Sequence, residues 1–160
     1  MSSRPANSRP RSSFQVEGWL GQLERLRRWH QRLQELRTQR AVQLTAADLD
    51  LVFAFFQTAY HLRDWILNDG AASERELQEL MSDSLALKVC RDLCIGSKHL
   101  TIKKASVDQH ASLVREYVPG PVGNRAASSS RVVVIADGRH ELWPLVDDCM
   151  ATWETWTAAR

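Results

Sequence analysis

Cysteines are scarce in this sequence and long apolar runs are missing, and each shortage excludes a class of protein. Cys90, Cys94 and Cys149 are an odd number and too few for a disulfide framework. No run of about 18 apolar residues is present, as a membrane-spanning helix would need, and residues 1–30 contain no apolar segment of the secretory type. We therefore expect a reduced, cytoplasmic protein that does not enter a membrane.

The catalytic signatures of several enzyme classes are also missing. There is no GxSxG, Walker A, GxGxxG or HExxH motif, and no CxxC pair of the kind that zinc sites with cysteine usually carry. His61 and Asp64 match only part of the Glu-x-x-His pairs of di-iron bundles. Cys90 and Cys94 are either buried core thiols or, as the alternative, the start of a metal site. We expect no metal and no cofactor.

Helical periodicity is what the sequence contains in abundance. Four segments have apolar residues at three- and four-residue steps with no proline between them, which predicts helices. A capping box marks two of their starts, Thr45 with Asp48 and Ser73 with Glu76. The predicted helices cover about residues 14–40, 45–67, 73–81 and 84–100, and Gly96 is a point at which the last of them would end early.

Two short segments are rich in β-branched residues and predict strands. The first is best defined over residues 112–118, and the second, RVVVIADG, stops at Asp137 and Gly138. We expect them to pair as a hairpin at about residues 110–138, before a last helix with Pro144 in its first turn. The predicted fold is mainly α: a helical bundle of about four main helices with a small C-terminal β-hairpin followed by a last helix.

Basic residues are concentrated at one end of the chain. Residues 1–40 hold nine Arg against three Glu, a balance of +6, whereas the remaining residues carry a balance of −4. Residues 1–13 contain Ser, Pro and Arg with almost nothing apolar, which predicts a disordered basic tail. Residues 14–160 show no repeat or internal boundary, so we expect a single helical-bundle domain.

The first predicted helix presents arginines on the faces that its apolar residues leave free, and two interpretations fit them. They would bind nucleic acid or an acidic partner, or they would form the solvated face of a core helix. The arginines in question are Arg25, Arg28 and Arg32.

Each of the two central helices carries a polar stripe with steps of four, three and four residues, a spacing that keeps side chains on one side of a helix. If these helices are antiparallel neighbours, the stripes bring two His and two Asp into one cleft. Otherwise each stripe is the solvated side of an amphipathic helix. The stripes are Gln57, His61, Asp64 and Asn68 on one helix, and Lys88, Asp92, Ile95 and His99 on the other.

The segment RDLCIGSKH contains the groups needed to cleave RNA without a metal. That reaction needs a His to move the proton of a 2′-hydroxyl and a cation to stabilise the charge on the phosphate. Here the chain resembles the HEPN superfamily of small helical bundles. Their motif is an Arg, commonly followed by a polar residue, and then a His after four to six intervening residues. In this sequence seven residues separate Arg91 from His99.

The resemblance implies a metal-independent endoribonuclease or RNA-binding protein of a bacterial defence or toxin–antitoxin system, acting as a dimer or with a cognate partner. Carried over to this sequence, Arg91, Asp92 and His99 are the catalytic residues. Lys98 would be an additional cation, and the stripe on the first central helix would supply cleft partners. The stretches YHLRDW and GSKH are also similar to uncharacterised bacterial proteins.

A non-enzymatic interaction module is the competing prediction. Six tryptophans in 160 residues, with Trp143, Trp153 and Trp156 near the end, could exceed what one small core buries. Surplus apolar surface would indicate a helical adaptor, a homodimer or a subunit of a larger assembly.

Overall fold

The computed structural model describes residues 17–39, 44–98, 104–108, 110–118 and 129–160. The tail predicted for residues 1–13, the connection between the two predicted strands and His99 lie outside these ranges.

Five α-helices contain most of the described residues. Thr45 and Ser73 each accept a hydrogen bond from the backbone N–H three residues on, and the carboxylate at that third position bonds back, so both predicted capping boxes are confirmed. Gly96 does not end the fourth helix, which continues to Lys98. The helices are α1 (Gly18–Gln39), α2 (Ala46–Asn68), α3 (Glu74–Asp83), α4 (Leu85–Lys98) and α5 (Leu142–Ala158).

The predicted hairpin is present, but it belongs to a three-stranded antiparallel sheet in the order β1-β2-β3. The strands are β1 (Ser112–Val118), β2 (Ser129–Ile135) and β3 (Arg139–Glu141). The predicted stop of the second strand at Asp137 and Gly138 is confirmed, since β2 ends at Ile135. The third strand was not predicted: Asp137 and Gly138 both adopt positive φ, 46° and 121°, and turn the chain back so that β3 pairs with β2.

The core lies where α1, α4 and α5 pack around α2 and where the inner face of the sheet meets them. Phe55, Phe56 and Leu62 of α2 are fully buried, as are Leu87 of α4 and Trp153 of α5. Burying each of these large apolar side chains stabilises the fold by about 1.5–3 kcal/mol relative to leaving it exposed. The mainly α class predicted from the sequence is confirmed, with the small sheet placed between α4 and α5.

The described helices also bear on the membrane prediction. None of them combines the length and the hydrophobicity that crossing a bilayer requires.

Candidate functional site

Helices α2 and α4 are antiparallel neighbours, as the hypothesis of two facing stripes requires. Gln57 Nε2 donates to Ser97 Oγ over 3.3 Å, and one turn further along α2, His61 Nε2 lies 3.9 Å from Cys94 Sγ. Residue 57 of α2 thus contacts residue 97 of α4, and the later residue 61 contacts the earlier residue 94. Side chains on the facing sides of these helices are therefore brought together in reverse order.

The rest of the stripe on α2 stays on its own helix. His61 Nδ1 lies 3.4 Å from Asp64 Oδ2, and the other carboxylate oxygen of Asp64 accepts from Arg63 over 3.3 Å. The side chains of His61 and Asp64 are 40% and 47% exposed. Asn68 is exposed at the last turn of α2. This stripe thus combines one contact region against α4 with a solvent-facing His–Asp pair.

Asp92 does not face this stripe. Its side chain is 0% exposed, and its carboxylate accepts hydrogen bonds from three successive backbone N–H groups of the segment that follows α4. The distances are 2.8 and 2.9 Å from Ser106, 2.6 Å from Val107 and 3.0 Å from Asp108. A buried carboxylate needs such donors because it has lost its water.

The prediction that Asp92 shares a cleft with His61 and Asp64 is therefore wrong. A carboxylate that is buried and already accepts from three backbone N–H groups and from Arg91 has no position from which to contact a substrate. Its partners are main-chain groups, which any sequence supplies, so no sequence pattern could have shown where Asp92 points. The geometry makes Asp92 an anchor for the segment 104–108.

Arg91 fastens the same segment from the exposed side. Its Nη1 donates to Asp92 over 3.0 Å and to Ser106 Oγ over 2.7 Å, and its Nη2 donates to the carbonyl of Lys104 over 2.9 Å. The pair that resembled the start of an RNase motif thus holds residues 104–108 against α4. Its position leaves Arg91 in the wall of a cleft, with its charge paired to Asp92.

That cleft, of about 600 Å³, lies between α2, α3, α4 and the anchored segment. Among the described residues, four basic side chains and one carboxylate line it. Arg63 pairs with Asp64 over 3.3 Å and approaches Glu74 at 3.6 Å. Lys88 and Lys104 form no ion pair with any carboxylate in the described ranges. The lining residues used below are Tyr60, Arg63, Glu74, Met81, Lys88, Arg91 and Lys104.

The cleft arises from two matching spacings. Tyr60 and Arg63 are one turn apart on α2, and Lys88 and Arg91 are one turn apart on α4, so each pair shares a helix side. Lys88 and Arg91 were singled out by sequence patterns, whereas Tyr60, beside the stripe on α2, and Arg63 were given no function of their own. The placement of Lys104 depends on the anchor at Asp92, so no sequence pattern near Lys104 predicts that it lies in the cleft.

The cysteines lie apart from this cleft, in the interior. All three are buried, and Cys90 Sγ donates to the carbonyl of Phe56 over 3.0 Å. Burial, reinforced by the neighbouring Cys149 thiol, raises the pKa of Cys90 well above its ordinary value. Thiolate is the form that attacks or binds metal, so this environment suits packing. Within the described ranges no group of three or more His, Cys, Asp or Glu is arranged to hold a metal ion.

Part of the arginine surface of α1 is occupied by α5. Arg27 donates to both carboxylate oxygens of Glu154 over 2.7 Å, and Arg37 donates to Asp147 over 3.1 Å. We call this contact the α1–α5 seam. Asp147 also accepts from Gln34 over 2.6 Å. These pairs join two packed helices, which is a structural use of charge.

The three arginines predicted to bind nucleic acid or a partner lie beside this seam. Arg25 is half-buried, whereas Arg28 and Arg32 are exposed, with the Arg32 guanidinium 4.9 Å from the centre of the Trp29 ring. Arg28 and Arg32 have no carboxylate partner among the described residues. They form a second, convex basic surface, separate from the cleft.

The tryptophans near the end of the chain are placed against the core. Trp153 is fully buried, and Trp156 makes edge-on contacts with Trp153 and Trp19, with ring centres 6.1 and 6.2 Å apart. Trp143 is half-buried, 5.9 Å from Arg37. One small core accommodates these rings, which weakens the argument from surplus tryptophan.

Two predicted catalytic residues remain. Lys98 is the last residue of α4, and its side chain lies outside the described part of the structure, as does His99. Lys98 follows Arg91 by seven residues, about 10 Å along a helix axis.

Comparison with known proteins adds no relative: no protein-family model matches the chain, and neither the curated proteins nor the solved structures include a significant match.

Proposed function

We propose that the cleft between α2 and α4 binds the phosphate backbone of RNA. The observation that carries the proposal is the pair Lys88 and Lys104, which converge on a concave surface without a carboxylate partner among the described residues. Lysines in this situation attract an anion because no internal charge neutralises them. Phosphate contacts of this kind supply most of the affinity in non-specific RNA binding.

The walls of the cleft support the same function. Arg63 and Arg91 are paired with Asp64 and Asp92 and are held by neighbouring side chains, so these walls lose little side-chain freedom when a ligand binds. A volume of about 600 Å³ is within the range of roughly 300–1,000 Å³ usual for ligand pockets, large enough for a nucleotide unit. Glu74, at the α3 side, is an opposing charge in the described lining.

Cleavage is the enzymatic form of this proposal and follows the HEPN resemblance, with a role in bacterial defence or a toxin–antitoxin system. His99 would move the proton of the 2′-hydroxyl, and a nearby cation such as Lys98 would stabilise the phosphate in the transition state. Arg91 and Asp92 would act by positioning the segment 104–108, since both are engaged there.

The binding test compares two double variants that remove the same charge. Labelled single-stranded RNA is titrated in EDTA with wild type, with Lys88→Ala/Lys104→Ala, and with Arg28→Ala/Arg32→Ala, the control on the convex face of α1. We expect the cleft variant to weaken binding about tenfold or more, and the control to change it less than about threefold. A larger loss in the control would assign binding to α1.

The cleavage test uses the same reagents. Total RNA and tRNA are incubated in EDTA with wild type and with His99→Ala. Cleavage by wild type alone supports metal-independent RNase chemistry, and intact RNA in both rejects it for this protein. If wild type also fails to bind RNA, the proposal fails as a whole. A non-enzymatic interaction module, acting as a dimer or with a cognate partner, then takes its place.

A further inference from the structure

Tyr60 is the one aromatic side chain among the described residues that line the cationic cleft, and it is held in place. Tyr60 packs against the hydrophobic core with part of its ring and lines the cleft with the rest. The neighbouring His61 ring lies 5.5 Å away, centre to centre, at an angle of 52°. A ring fixed in this way loses little side-chain freedom when a ligand packs on it.

The surroundings of Tyr60 combine apolar and cationic groups within one cleft. Met81, nearly fully buried, contributes an apolar patch, while Lys88 and Lys104 provide the charge. A phosphate alone would gain nothing from the ring or the thioether. A nucleotide carries both an anionic phosphate and a flat apolar base, so it uses both parts of the lining.

A duplex and a single strand differ in whether they can reach this ring. In a duplex the base faces are covered by their stacked neighbours, and its deep, narrow major groove hides the base edges. In a single strand an unpaired base can turn outward and stack on an aromatic side chain while its phosphates meet basic groups. The cleft is concave, so only a base that has left its stack can reach Tyr60.

We infer that the cleft accepts single-stranded RNA, with one unpaired base stacked on Tyr60 and the adjoining phosphates held by Lys88 and Lys104. This inference rests on the proposed function and adds the substrate class and a specificity-determining residue. Stacking on one aromatic side chain contributes about 1–3 kcal/mol, which corresponds to a change in affinity of about 5- to 150-fold.

The test uses three tyrosine variants and three probes. Tyr60→Leu removes the ring, Tyr60→Phe keeps it, and Tyr117→Leu is the control at a 67%-exposed tyrosine on β1. The probes are a single-stranded oligonucleotide, the same sequence as a duplex, and a strand with the same phosphates but abasic positions. Thermal melting followed by circular dichroism checks that each variant is folded.

We expect Tyr60→Leu to weaken single-strand binding at least fivefold, Tyr60→Phe to recover most of the affinity, and Tyr117→Leu to match wild type. Wild type should bind the abasic strand about as weakly as Tyr60→Leu binds the normal strand. Duplex binding should be weaker and insensitive to the ring. If Tyr60→Leu fails to fold, the abasic strand and Tyr60→Phe still decide the question.

Two further outcomes separate the inference from the proposed function. Equal affinity for normal strand, abasic strand and duplex, with continued dependence on Lys88 and Lys104, overturns the inference and leaves phosphate binding in place. Failure of wild type to bind any of the three probes overturns both.

Discussion

The α1–α5 seam and the α2–α4 cleft are both rich in positive charge, yet the two regions use that charge differently. In the seam each guanidinium meets a carboxylate of the facing helix: Arg27 meets Glu154 and Arg37 meets Asp147. In the cleft Lys88 and Lys104 meet no carboxylate of the described residues. Basic residues with partners join helices, whereas those without partners leave a potential that attracts an anion.

In the seam the pairing shifts the pKa of both partners. The hydrogen bonds from Arg27 lower the pKa of Glu154, and Glu154 in turn raises the pKa of the arginine. Each group therefore stabilises the charged form of the other. The pair of Asp92 and Arg91 is the link to the cleft, because Asp92 accepts from Val107 and Arg91 donates to the carbonyl of Lys104, which holds the segment that carries Lys104.

The largest expected effect comes from removing that link. Asp92→Ala leaves three backbone N–H groups without their acceptor and removes one of the acceptors of Arg91, so we expect the free energy of unfolding to fall by about 2–4 kcal/mol. Urea denaturation at pH 7 measures it. The control is Asp64→Ala, a half-exposed carboxylate on α2, for which less than about 1 kcal/mol is expected. Equal losses would show that the anchor contributes no more than a surface pair.

The salt dependence of RNA binding tests the comparison directly. If Lys88 and Lys104 each neutralise one phosphate of a single strand, Lys88→Ala/Lys104→Ala should reduce the slope of log K against log salt by about 1.4. The matched seam variant, Arg27→Ala/Arg37→Ala, removes the same charge and should leave the slope unchanged. The slopes are measured by anisotropy titrations between about 50 and 200 mM salt, a range over which phosphate contacts change the affinity strongly.

For the same two variants, the expected effects on the free energy of unfolding are the reverse of those on RNA binding. The cleft variant removes charges without partners, so its unfolding free energy should stay within about 0.5 kcal/mol of wild type. A slope that falls in the seam variant, or a stability that falls in the cleft variant, would reverse the functions assigned to the two regions.

A double-mutant cycle on the seam is expected to give a smaller effect. Arg27 and Glu154 form a two-point contact, but their side chains are 41% and 39% exposed, so water and salt screen the pair. We expect a coupling free energy of about 0.5–1 kcal/mol from Arg27→Met, Glu154→Gln and the combination, measured by urea denaturation. A coupling of zero would mean that the seam holds by apolar packing alone.

Sequence patterns predicted the parts of this fold that depend on local chemistry. The capping boxes at Thr45 and Ser73 and the β-branched residues of β2 are local signals, and each element formed as expected. The strand β3 was missed because Arg139–Glu141 is three polar residues whose pairing depends on the turn before it. Gly96 was expected to be able to end α4 early. The helix continues past it because packing of α4 against α2 outweighs the cost of one helical glycine.

The candidate site was less predictable for a physical reason. The spacing of the stripes placed Lys88 on one side of α4 together with Asp92, and the expected antiparallel neighbour was found. Arg91 was singled out by the RNase motif and was not part of the stripe. The direction of Asp92 was not predictable, because its partners are backbone N–H groups of residues 106–108. Whether a lysine has an acidic partner is likewise a property of the folded chain.

The smallest expected effect is a pH dependence carried by Glu154. Its pKa is lowered from the ordinary 4.5 in the folded protein, so its ionised form contributes stability that is fully present above pH 4.5. That contribution is lost as pH falls through the lowered pKa, because the unfolded chain then binds the proton more readily. Wild type and Glu154→Gln should therefore converge in unfolding free energy on acidification, by less than about 1 kcal/mol because the pair is partly exposed.

Urea denaturation of both proteins between about pH 6 and pH 3 measures this convergence, and subtracting the two curves removes the contribution of other acids, such as Glu116, whose pKa is lowered by Arg139. Asp147→Asn, on the same helix and facing Arg37, is the matched comparison within the seam. Curves that stay parallel throughout would show that Arg27 does not favour the charged form of Glu154 in the folded protein. The contrast between paired charge in the seam and unpaired charge in the cleft would then rest on geometry without an energetic difference.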